Sequence, residues 1–484
     1  MYKSDTAAVR SSCRTAHIGW WPLTVIASAH LMAVLDTTIM FVALPSIQRS
    51  LHMTVSTRPW VVTAYTLSLA GLLLLGGRLA DRLGARRTLI IGVVGFACAS
   101  AVGGASVDGA MLIAARAVQG AFGAVLVSST KALLVTVYRE EHERAKVLGV
   151  FTATLTGGLA VGLVLGGVIT SGLGWRWCLY LNVIFSVFVV VGAPRALPQL
   201  ARRPEVRIDL VSVLFASMGM VGLVYGLGEA ASVGWGAARV VASLVGAVIL
   251  LGGLVLRQLG HDDRLLPLRV VSDHNRGWGM VALIVNAFST FGMMLILTYQ
   301  LQSIMGYSAL TTGLALVPFA LGAILGSAFV APRLMHRVPP RWLITAAVVI
   351  EAAGLVPLVW LTPHSGYLPL ILVATVVEGI GTGLAGPTTL NTALRGVLPA
   401  DAGAAGAATS AVGQLGSSVG AALFNTIAAT VTAGYLSAHP TTSVVAATVR
   451  GFNVAMVWGT LVLLVAAIPI ARFVNAPVPA AKPR

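Results

Sequence analysis

The stretch GRLADRLGARR, which runs from Gly77 to Arg87, separates two long apolar segments of the chain. Each segment has the length of about 20 residues that a helix needs to cross a bilayer core. Gly77 and Gly84 permit close packing and a tight turn, and Asp81 is able to cap or pair near the N-terminus of a neighbouring helix. The stretch therefore predicts a short loop between two membrane-spanning helices.

The composition of the whole chain extends this prediction. Of its 484 residues, 57% are hydrophobic and only 10% are charged, and the mean hydropathy is +0.89. Soluble globular proteins have about 25% charged residues, so an all-α polytopic membrane protein is predicted. The net charge of +16 is scattered between apolar segments, which argues against a nucleic-acid-binding domain. Cys13, Cys98 and Cys178 lack the spacing of a disulfide framework or a metal site.

Apolar segments of sufficient length recur along the chain, and we count fourteen of them. An even number of spans puts both chain ends on the same side of the membrane. The predicted spans are 18–44, 60–79, 88–106, 109–132, 147–172, 178–198, 209–229, 238–257, 278–301, 310–332, 342–361, 367–392, 404–433 and 453–473.

The basic residues test this count, because the cytoplasmic loops of membrane proteins collect Lys and Arg. With fourteen spans, 26 of the 32 basic residues fall on the side that holds both chain ends, and five fall on the other side. The remaining one, Arg116, lies inside a span. An error of one helix early in the chain would abolish this asymmetry, so both ends are predicted to be cytoplasmic.

Two opposite charges are predicted at one depth of the membrane. Asp36 lies eight residues before the outer end of the first span, and Arg116 lies seven residues inside the fourth span. At 1.5 Å per residue, both are about 10–12 Å from the outer surface. A charged side chain at such a depth faces protein or water and marks a functional site by default. We predict that Asp36 and Arg116 pair and take part in proton coupling.

Two further carboxylates are predicted near the middle of the membrane, Glu351 in the eleventh span and Glu378 in the twelfth. Either one is able to receive a proton or a cationic substrate, and the alternative is a protonated carboxyl that only forms structural hydrogen bonds. We assign Glu378 to proton coupling and Glu351 to the substrate cavity. Asn286, Gln300 and Asn391 are polar groups that line this cavity or join helices.

The sequence contains no phosphate-binding glycine loop of the G-x-x-x-x-G-K type and no metal-spaced cluster of His or Cys. We therefore predict neither an enzyme nor a metal site, and no cofactor. A transporter without a nucleotide-binding loop is expected to use an ion gradient, with protons as the coupling ion.

The string from Gly77 to Arg87 closely resembles the signature loop of the major facilitator superfamily, G-x-L-a-D-r-x-G-r-r. Further stretches, which extend the resemblance over residues 18 to 475, are similar to motifs of its fourteen-span drug/proton antiporters. They are LDTTIMFVALP (35–45), WVVTAYTLSLA (60–70), ARAVQG (115–120), GGLAVGLVLGG (157–167), WRWCLYLN (175–182), YQLQSIMGYSALTTGLALVP (299–318) and AGAAGAATSAVGQLGSSVGAA (402–422).

The resemblance implies a role in proton transfer for Arg116 and a conformational switch at the signature loop. The residues of this switch are Gly77, Asp81, Arg82, Gly84 and Arg86.

The fifth span departs from the family pattern, because Leu163 stands where these antiporters usually have proline. Its glycines still recur at a helical spacing that allows another helix to approach closely. This predicted glycine face consists of Gly158, Gly162, Gly166 and Gly167.

The resemblance implies a major facilitator fold of two six-helix bundles with two inserted helices between them. The predicted divisions are a cytoplasmic tail (1–17), a first bundle (18–198), a linker with the two inserted helices (199–276), a second bundle (277–473) and a second cytoplasmic tail (474–484).

The sequence thus predicts a proton-coupled antiporter in a cytoplasmic membrane that exports a small lipophilic or cationic compound, such as a drug or an antibiotic. Its expected partners are that small molecule and the lipid bilayer, with a monomer as the default and no nucleic acid. Two alternatives stay open: a proton-linked uptake permease for a nutrient or metabolite, and a transporter-fold membrane sensor without flux.

Overall fold

The computed structural model describes residues 20–53, 57, 60–138, 140–199, 209–259, 273–398 and 401–475. These ranges are helical and contain no β-strand. Each predicted span corresponds to one helical segment. The segments are α1 (Trp20–Ser50), α2 (Trp60–Leu83), α3 (Ala85–Gly104), α4 (Gly109–Val137), α5 (Glu141–Gly172), α6 (Arg176–Ala196), α7 (Leu210–Val233), α8 (Ala238–Leu259), α9 (His274–Tyr299), α10 (in three pieces, Ala309–Ala315, Val317–Ile324 and Ala331–Leu334), α11 (Pro340–Leu355), α12 (Leu370–Ala393), α13 (Ala402–Ala438) and α14 (Val444–Phe473).

Thirteen of these segments, within the described ranges, are long and apolar enough to cross a membrane. The other one, α5, has 32 residues and is also long enough to span it. Successive segments cross in opposite directions, so α1 begins and α14 ends on one face. We call the face that holds Trp20 and Phe473 the termini face, and the other one the opposite face.

Two helical bundles are present, α1–α6 and α9–α14, and each has its own buried apolar core. Phe96 belongs to the first core and Phe424 to the second. The first core continues into the second bundle through Leu390 of α12 and Ala405 of α13. Since both residues lie near the termini face, the two bundles are packed together there.

The two inserted helices, α7 and α8, pack against each other beside the junction of the bundles. α7 contacts α2 of the first bundle and α13 of the second. A Cβ added to Gly71 of α2 would lie 2.9 Å from Val221 Cγ2, so only a glycine allows this approach. α8 is the outer member of the pair and leaves Val248, Ile249 and Leu256 exposed, as expected for a lipid-facing helix.

One ion pair joins the inserted helices at the termini face. Asp209 caps α7 by accepting hydrogen bonds from Val211 N (3.1 Å) and Ser212 Oγ (2.6 Å). Arg257, near the end of α8, places its Nε 2.8 Å from Asp209 Oδ2. The Arg257 guanidinium holds the pKa of Asp209 below its usual range.

The structure corrects two helix boundaries. The fourth span was predicted to end at 132, but α4 continues to Val137 and places Lys131 inside the helix rather than in a loop. The tenth span was predicted as one helix, but it changes form after Leu316, because Pro318 has no N–H to continue the hydrogen-bond ladder. It changes again at the π-helical segment Leu325–Val330.

Several predicted regions lie outside the described residues. They are the first tail (1–17), the second tail beyond Asn475, and the linker stretches 200–208 and 260–272.

We expect Asp209→Ala to lower the free energy of unfolding by about 1 kcal/mol, because the N-cap of α7 is lost. Asp209→Asn keeps a capping oxygen and loses the ion pair, so its effect should be smaller, at most about 1 kcal/mol. Thermal unfolding of the purified protein measures both effects.

This contribution should depend on pH. Because the folded-state pKa of Asp209 is lowered, the stabilisation is present above the ordinary Asp value of about 3.9 and is lost as the pH falls through the folded-state value. Wild type and Asp209→Asn should therefore converge in acid. Asp108→Asn at the exposed N-cap of α4 is the control. A difference between wild type and Asp209→Asn that stays constant down to strong acid contradicts the assignment.

Candidate functional site

Asp36 of α1 and Arg116 of α4 form a buried ion pair. Arg116 Nη1 lies 2.5 Å from Asp36 Oδ2, and both side chains are fully buried. The prediction that these residues lie at one depth and pair is confirmed. Two charges removed from water in this way need an excellent geometry and further hydrogen bonds to offset the cost of desolvation.

Amide side chains supply those hydrogen bonds to the carboxylate. Gln119 Nε2 donates to Asp36 Oδ1 at 2.8 Å, and Asn182 Nδ2 of α6 donates to the same oxygen at 2.7 Å. Gln119 Nε2 also donates to Ser100 Oγ of α3 at 2.7 Å. Asp36 thus accepts hydrogen bonds from three side chains on two different helices, which offset part of the cost of its desolvation.

The guanidinium of Arg116 also has fixed partners at Nε and Nη1, whereas its Nη2 has none among the described residues. Its Nη1 also donates to Gln119 Oε1 at 2.7 Å, and its Nε donates to the carbonyl oxygen of Val61 in α2 at 3.1 Å. The Arg116 Cζ lies 4.4 Å from the ring centroid of Tyr65, where a cation–π attraction acts. Five of the six helices of the first bundle therefore meet at this pair.

Sequence reasoning missed three members of this network, Gln119, Ser100 and Tyr65. A signal for Gln119 was present in ARAVQG, because a residue three positions after Arg116 lies on the same face of a helix.

Protonation of Asp36 would remove the attraction to Arg116 and would leave that cation buried without a counter-charge. A change in the charge of Asp36 would therefore alter the contacts between the helices that meet at this pair.

A second polar cluster lies inside the second bundle. Asn286 Nδ2 of α9 donates to Glu351 Oε1 of α11 at 2.6 Å, and Ser289 Oγ of α9 donates to Glu378 Oε1 of α12 at 2.7 Å. Both glutamates are fully buried. The structure thus brings together Glu351, Glu378 and Asn286 of the predicted site residues.

The other two predicted cavity residues lie elsewhere. Gln300 lies in the π-helical turn that continues α9, fourteen residues or about 21 Å beyond Asn286, and its buried amide has no hydrogen-bond partner among the described residues. Asn391 is near the termini face, where its Oδ1 accepts a hydrogen bond from Arg144 Nε of α5 at 3.1 Å. Asn391 therefore links the two bundles and does not lie beside the carboxylates.

The signature loop contacts the second bundle through Asp81. Its carboxylate accepts from the backbone N–H groups of Gly403 (2.8 Å) and Ala404 (3.2 Å) at the start of α13. The first N–H groups of a helix have no partners within the helix, and the Asp81 carboxylate pairs with two of them. Gly77 packs directly on Gly403, where a Cβ would overlap the backbone.

The remaining switch residues fix the loop itself. Gly84 has φ of 88°, a left-handed conformation that favours glycine. Arg86 Nη1 donates to the carbonyl oxygen of Leu197 after α6 at 3.1 Å, whereas Arg82 is exposed. The loop therefore contacts both bundles at the termini face.

Comparison with known proteins agrees with this architecture. The family model described as Major Facilitator Superfamily matches residues 26–421. The chain belongs to the major facilitator superfamily. The members of this family to which it is similar are transporters and not enzymes.

Two curated major facilitator proteins are similar over most of their length. The puromycin resistance protein pur8 of Streptomyces alboniger is 42% identical over 93% of this chain and 90% of its own. The cephamycin export protein CmcT of Amycolatopsis lactamdurans is 38% identical over 85% of each chain. The crystal structure of the human organic anion transporter MFSD10 matches with a TM-score of 0.62 and 16% identity, over 92% of this chain and 99% of that one. That last likeness concerns the fold alone.

The glycines of α5 contact two different neighbouring helices, α1 and α10, in this major facilitator fold. A Cβ at Gly158 would overlap Leu31 of α1, and one at Gly162 would overlap Thr38 Oγ1, two residues from Asp36. A Cβ at Gly167 would instead lie 3.5 Å from Leu310 Cβ of α10, and Gly166 is buried. Gly158 and Gly162 thus let α5 press against the helix that carries Asp36.

We expect Arg116→Gln to destabilise the protein by about 3–5 kcal/mol, because it leaves the Asp36 carboxylate buried without its cation. The double variant Asp36→Asn/Arg116→Gln should lose less than the single variant, since no uncompensated charge remains. Thermal unfolding of the four proteins of this cycle measures the coupling. A loss in the double variant equal to the sum of the two single-variant losses would show that the charges do not interact.

We expect Asp81→Ala to loosen the contact between α2 and α13. In a background without the native cysteines, Ala407→Cys should react slowly with a maleimide, because Ala407 is fully buried against Gly77. Adding Asp81→Ala should raise this rate several-fold. Arg87→Ala, an exposed position of the same loop, is the matched control and should leave the rate unchanged. An equal rate with and without Asp81 argues against a closing role.

Proposed function

We propose that this protein exports small lipophilic or cationic compounds, antibiotics among them, across the cytoplasmic membrane in exchange for protons. The observation that carries the proposal is the buried pair of Asp36 and Arg116 in a chain whose similar relatives include a puromycin resistance protein and a cephamycin export protein. An intramembrane carboxylate held this firmly has a high cost, which favours a functional role.

The proposed orientation rests on the basic residues. The termini face carries most of the Lys and Arg, which supports a cytoplasmic position for this face and for both chain ends. We also propose the division into two bundles of six helices, joined by a linker with two inserted helices, as the mechanical units of transport, with a monomer as the working form.

Alternating access is the proposed mechanism. In the described conformation, the contacts of Asp81 with Gly403 and of Arg144 with Asn391 hold the bundles together at the termini face. Transport then requires these contacts to separate when the substrate enters from the cytoplasm. Proton binding at Asp36 and at Glu378 would change the balance between the two states, because a ligand shifts a conformational equilibrium by its difference in affinity for the two states.

Tolerance and efflux assays with Asp36→Asn test this function. A sensitive host that expresses the wild type should tolerate compounds from a panel of antibiotics and cationic dyes, and vesicles should show dye efflux that stops when the proton gradient collapses. Asp36→Asn should reduce both to the level of the empty vector, because the amide cannot exchange a proton.

Asp108→Asn is the matched control, since this exposed carboxylate only caps α4. Unchanged tolerance and unchanged efflux in Asp36→Asn would contradict the proposed proton antiport. Accumulation of a compound inside cells that express the wild type would indicate uptake, and no movement of any compound would favour a sensor.

A further inference from the structure

The second bundle has an unbalanced charge in its interior. In the first bundle, Asp36 is matched by Arg116 at 2.5 Å. In the second bundle, Glu351 of α11 and Glu378 of α12 are both fully buried, and their two helices pack against each other. Two buried carboxylates without a cation repel each other strongly and cannot both be ionised at low cost.

Among the described residues, no basic side chain forms an ion pair with either glutamate. The charged and imidazole groups of α9, α10, α11 and α14 lie toward the ends of these helices, and α12 and α13 carry no basic residue. Arg450 of α14 is exposed nearer the opposite face, and Arg144 of α5 bonds to Asn391 at the termini face. The basic and imidazole side chains near the ends of α9, α10, α11 and α14 are His274, Arg276, Arg333, Arg341, Arg450 and Arg472.

The two glutamates lie side by side in a reciprocal arrangement. Glu351 packs on Gly381, where a Cβ would lie 2.8 Å from Glu351 Cγ. Glu378 packs on Gly354, where a Cβ would lie 2.8 Å from Glu378 Cβ. Each glutamate thus lies on the facing surface of its helix, opposite a glycine three residues beyond the other glutamate. Because three residues separate each glutamate from the glycine on its own helix, the two glutamates are only about 4.5 Å apart along the helix axes.

In both Glu351 and Glu378, one carboxyl oxygen accepts a hydrogen bond and the other has no donor among the described residues. Each Oε1 accepts one donor from α9, Asn286 for Glu351 and Ser289 for Glu378. Each Oε2 is buried and has no hydrogen-bond partner among the described residues. Buried acceptors without a donor are costly, and a proton on either oxygen would supply the donor that both lack.

We propose that Glu351 and Glu378 share one proton between their Oε2 atoms and form a single carboxyl–carboxylate unit. The unit carries one negative charge, and its proton leaves to water when α9 withdraws or when α11 and α12 separate. This site is distinct from the Asp36–Arg116 pair and gives the second bundle its own response to protons. Its part in transport rests on the proposed export function, but the shared proton does not.

Infrared spectroscopy of the purified full-length protein in lipid vesicles tests the shared proton directly. The wild type minus Glu351→Gln/Glu378→Gln difference at neutral pH should contain the C=O band of one carboxylic acid per chain, and the band should shift in D2O. Two acid bands would show that both groups are fully protonated, and no band would show that neither is. Either result overturns the proposal.

The single variants locate the proton. Both Glu351→Gln and Glu378→Gln should lose the band, because the new amide donates to the remaining carboxylate and replaces the proton. A band lost in one variant and fully kept in the other would assign the proton to one residue alone and overturn sharing. Glu229→Gln at the end of α7, a carboxylate 3.0 Å from Arg239, is the matched control and should keep the band.

Ser289→Ala keeps both carboxyls and covers the case in which the glutamate variants do not fold. It removes the donor to Glu378 Oε1, so the position of the acid band should shift. An unchanged band in Ser289→Ala contradicts the proposed unit.

A transport assay separates this proposal from the proposed function. In vesicles with an imposed proton gradient, Glu351→Gln/Glu378→Gln should lose accumulation against a gradient and keep downhill movement of the same dye. Unchanged gradient-driven accumulation would overturn the role of the unit in coupling. A wild type that moves no compound would sink the export function and leave the infrared result standing.

Discussion

The desolvation of Asp36 and Arg116 is the constraint on which the first bundle depends. A buried charge pair is tolerable only when its remaining donors and acceptors are satisfied. Gln119, Asn182 and the carbonyl oxygen of Val61 supply most of these partners from three different helices, and among the described residues only Arg116 Nη2 of the pair has none. The depth and rotation of these helices are therefore fixed relative to α1, and a change in the charge of Asp36 acts on all of them together.

Glycine contacts set how closely the bundles approach each other. At the termini face, Gly77 and Gly403 bring α2 and α13 into backbone contact, and Asp81 uses the free N–H groups of α13. Backbone contact of this kind leaves little space for gradual adjustment, so the interface is either closed or separated. Close-packed interfaces of this kind have two discrete arrangements rather than a continuous range. This property suits a protein that opens to one side of the membrane at a time.

Particular residues show where prediction from sequence succeeded and where it failed. The fourteen spans followed from hydropathy and length, and the pairing of Asp36 with Arg116 followed from depth, which the helical rise converts directly from residue number. Glu351 and Asn286 were also predicted to lie in the same cavity, and their side chains form a hydrogen bond. Gln300 and Asn391 were predicted to line the same cavity, yet each lies about 20 Å along its helix from the carboxylate cluster. Their polarity suggested a role in the cavity, but polarity does not indicate which group a side chain contacts.

The sequence by itself determined the all-α membrane class, the number of spans, the superfamily resemblance and the charge of the two interiors, because these depend on composition and on local order. Only the tertiary structure decided that Gln119 and Ser100 complete the Asp36 site, that Asn391 bonds to Arg144, and that Glu351 and Glu378 face each other across paired glycines. The physical reason is the rotation of each helix about its axis. Helices that are apolar on most faces have a weak preference for any rotation, and the contacts between neighbouring helices fix it.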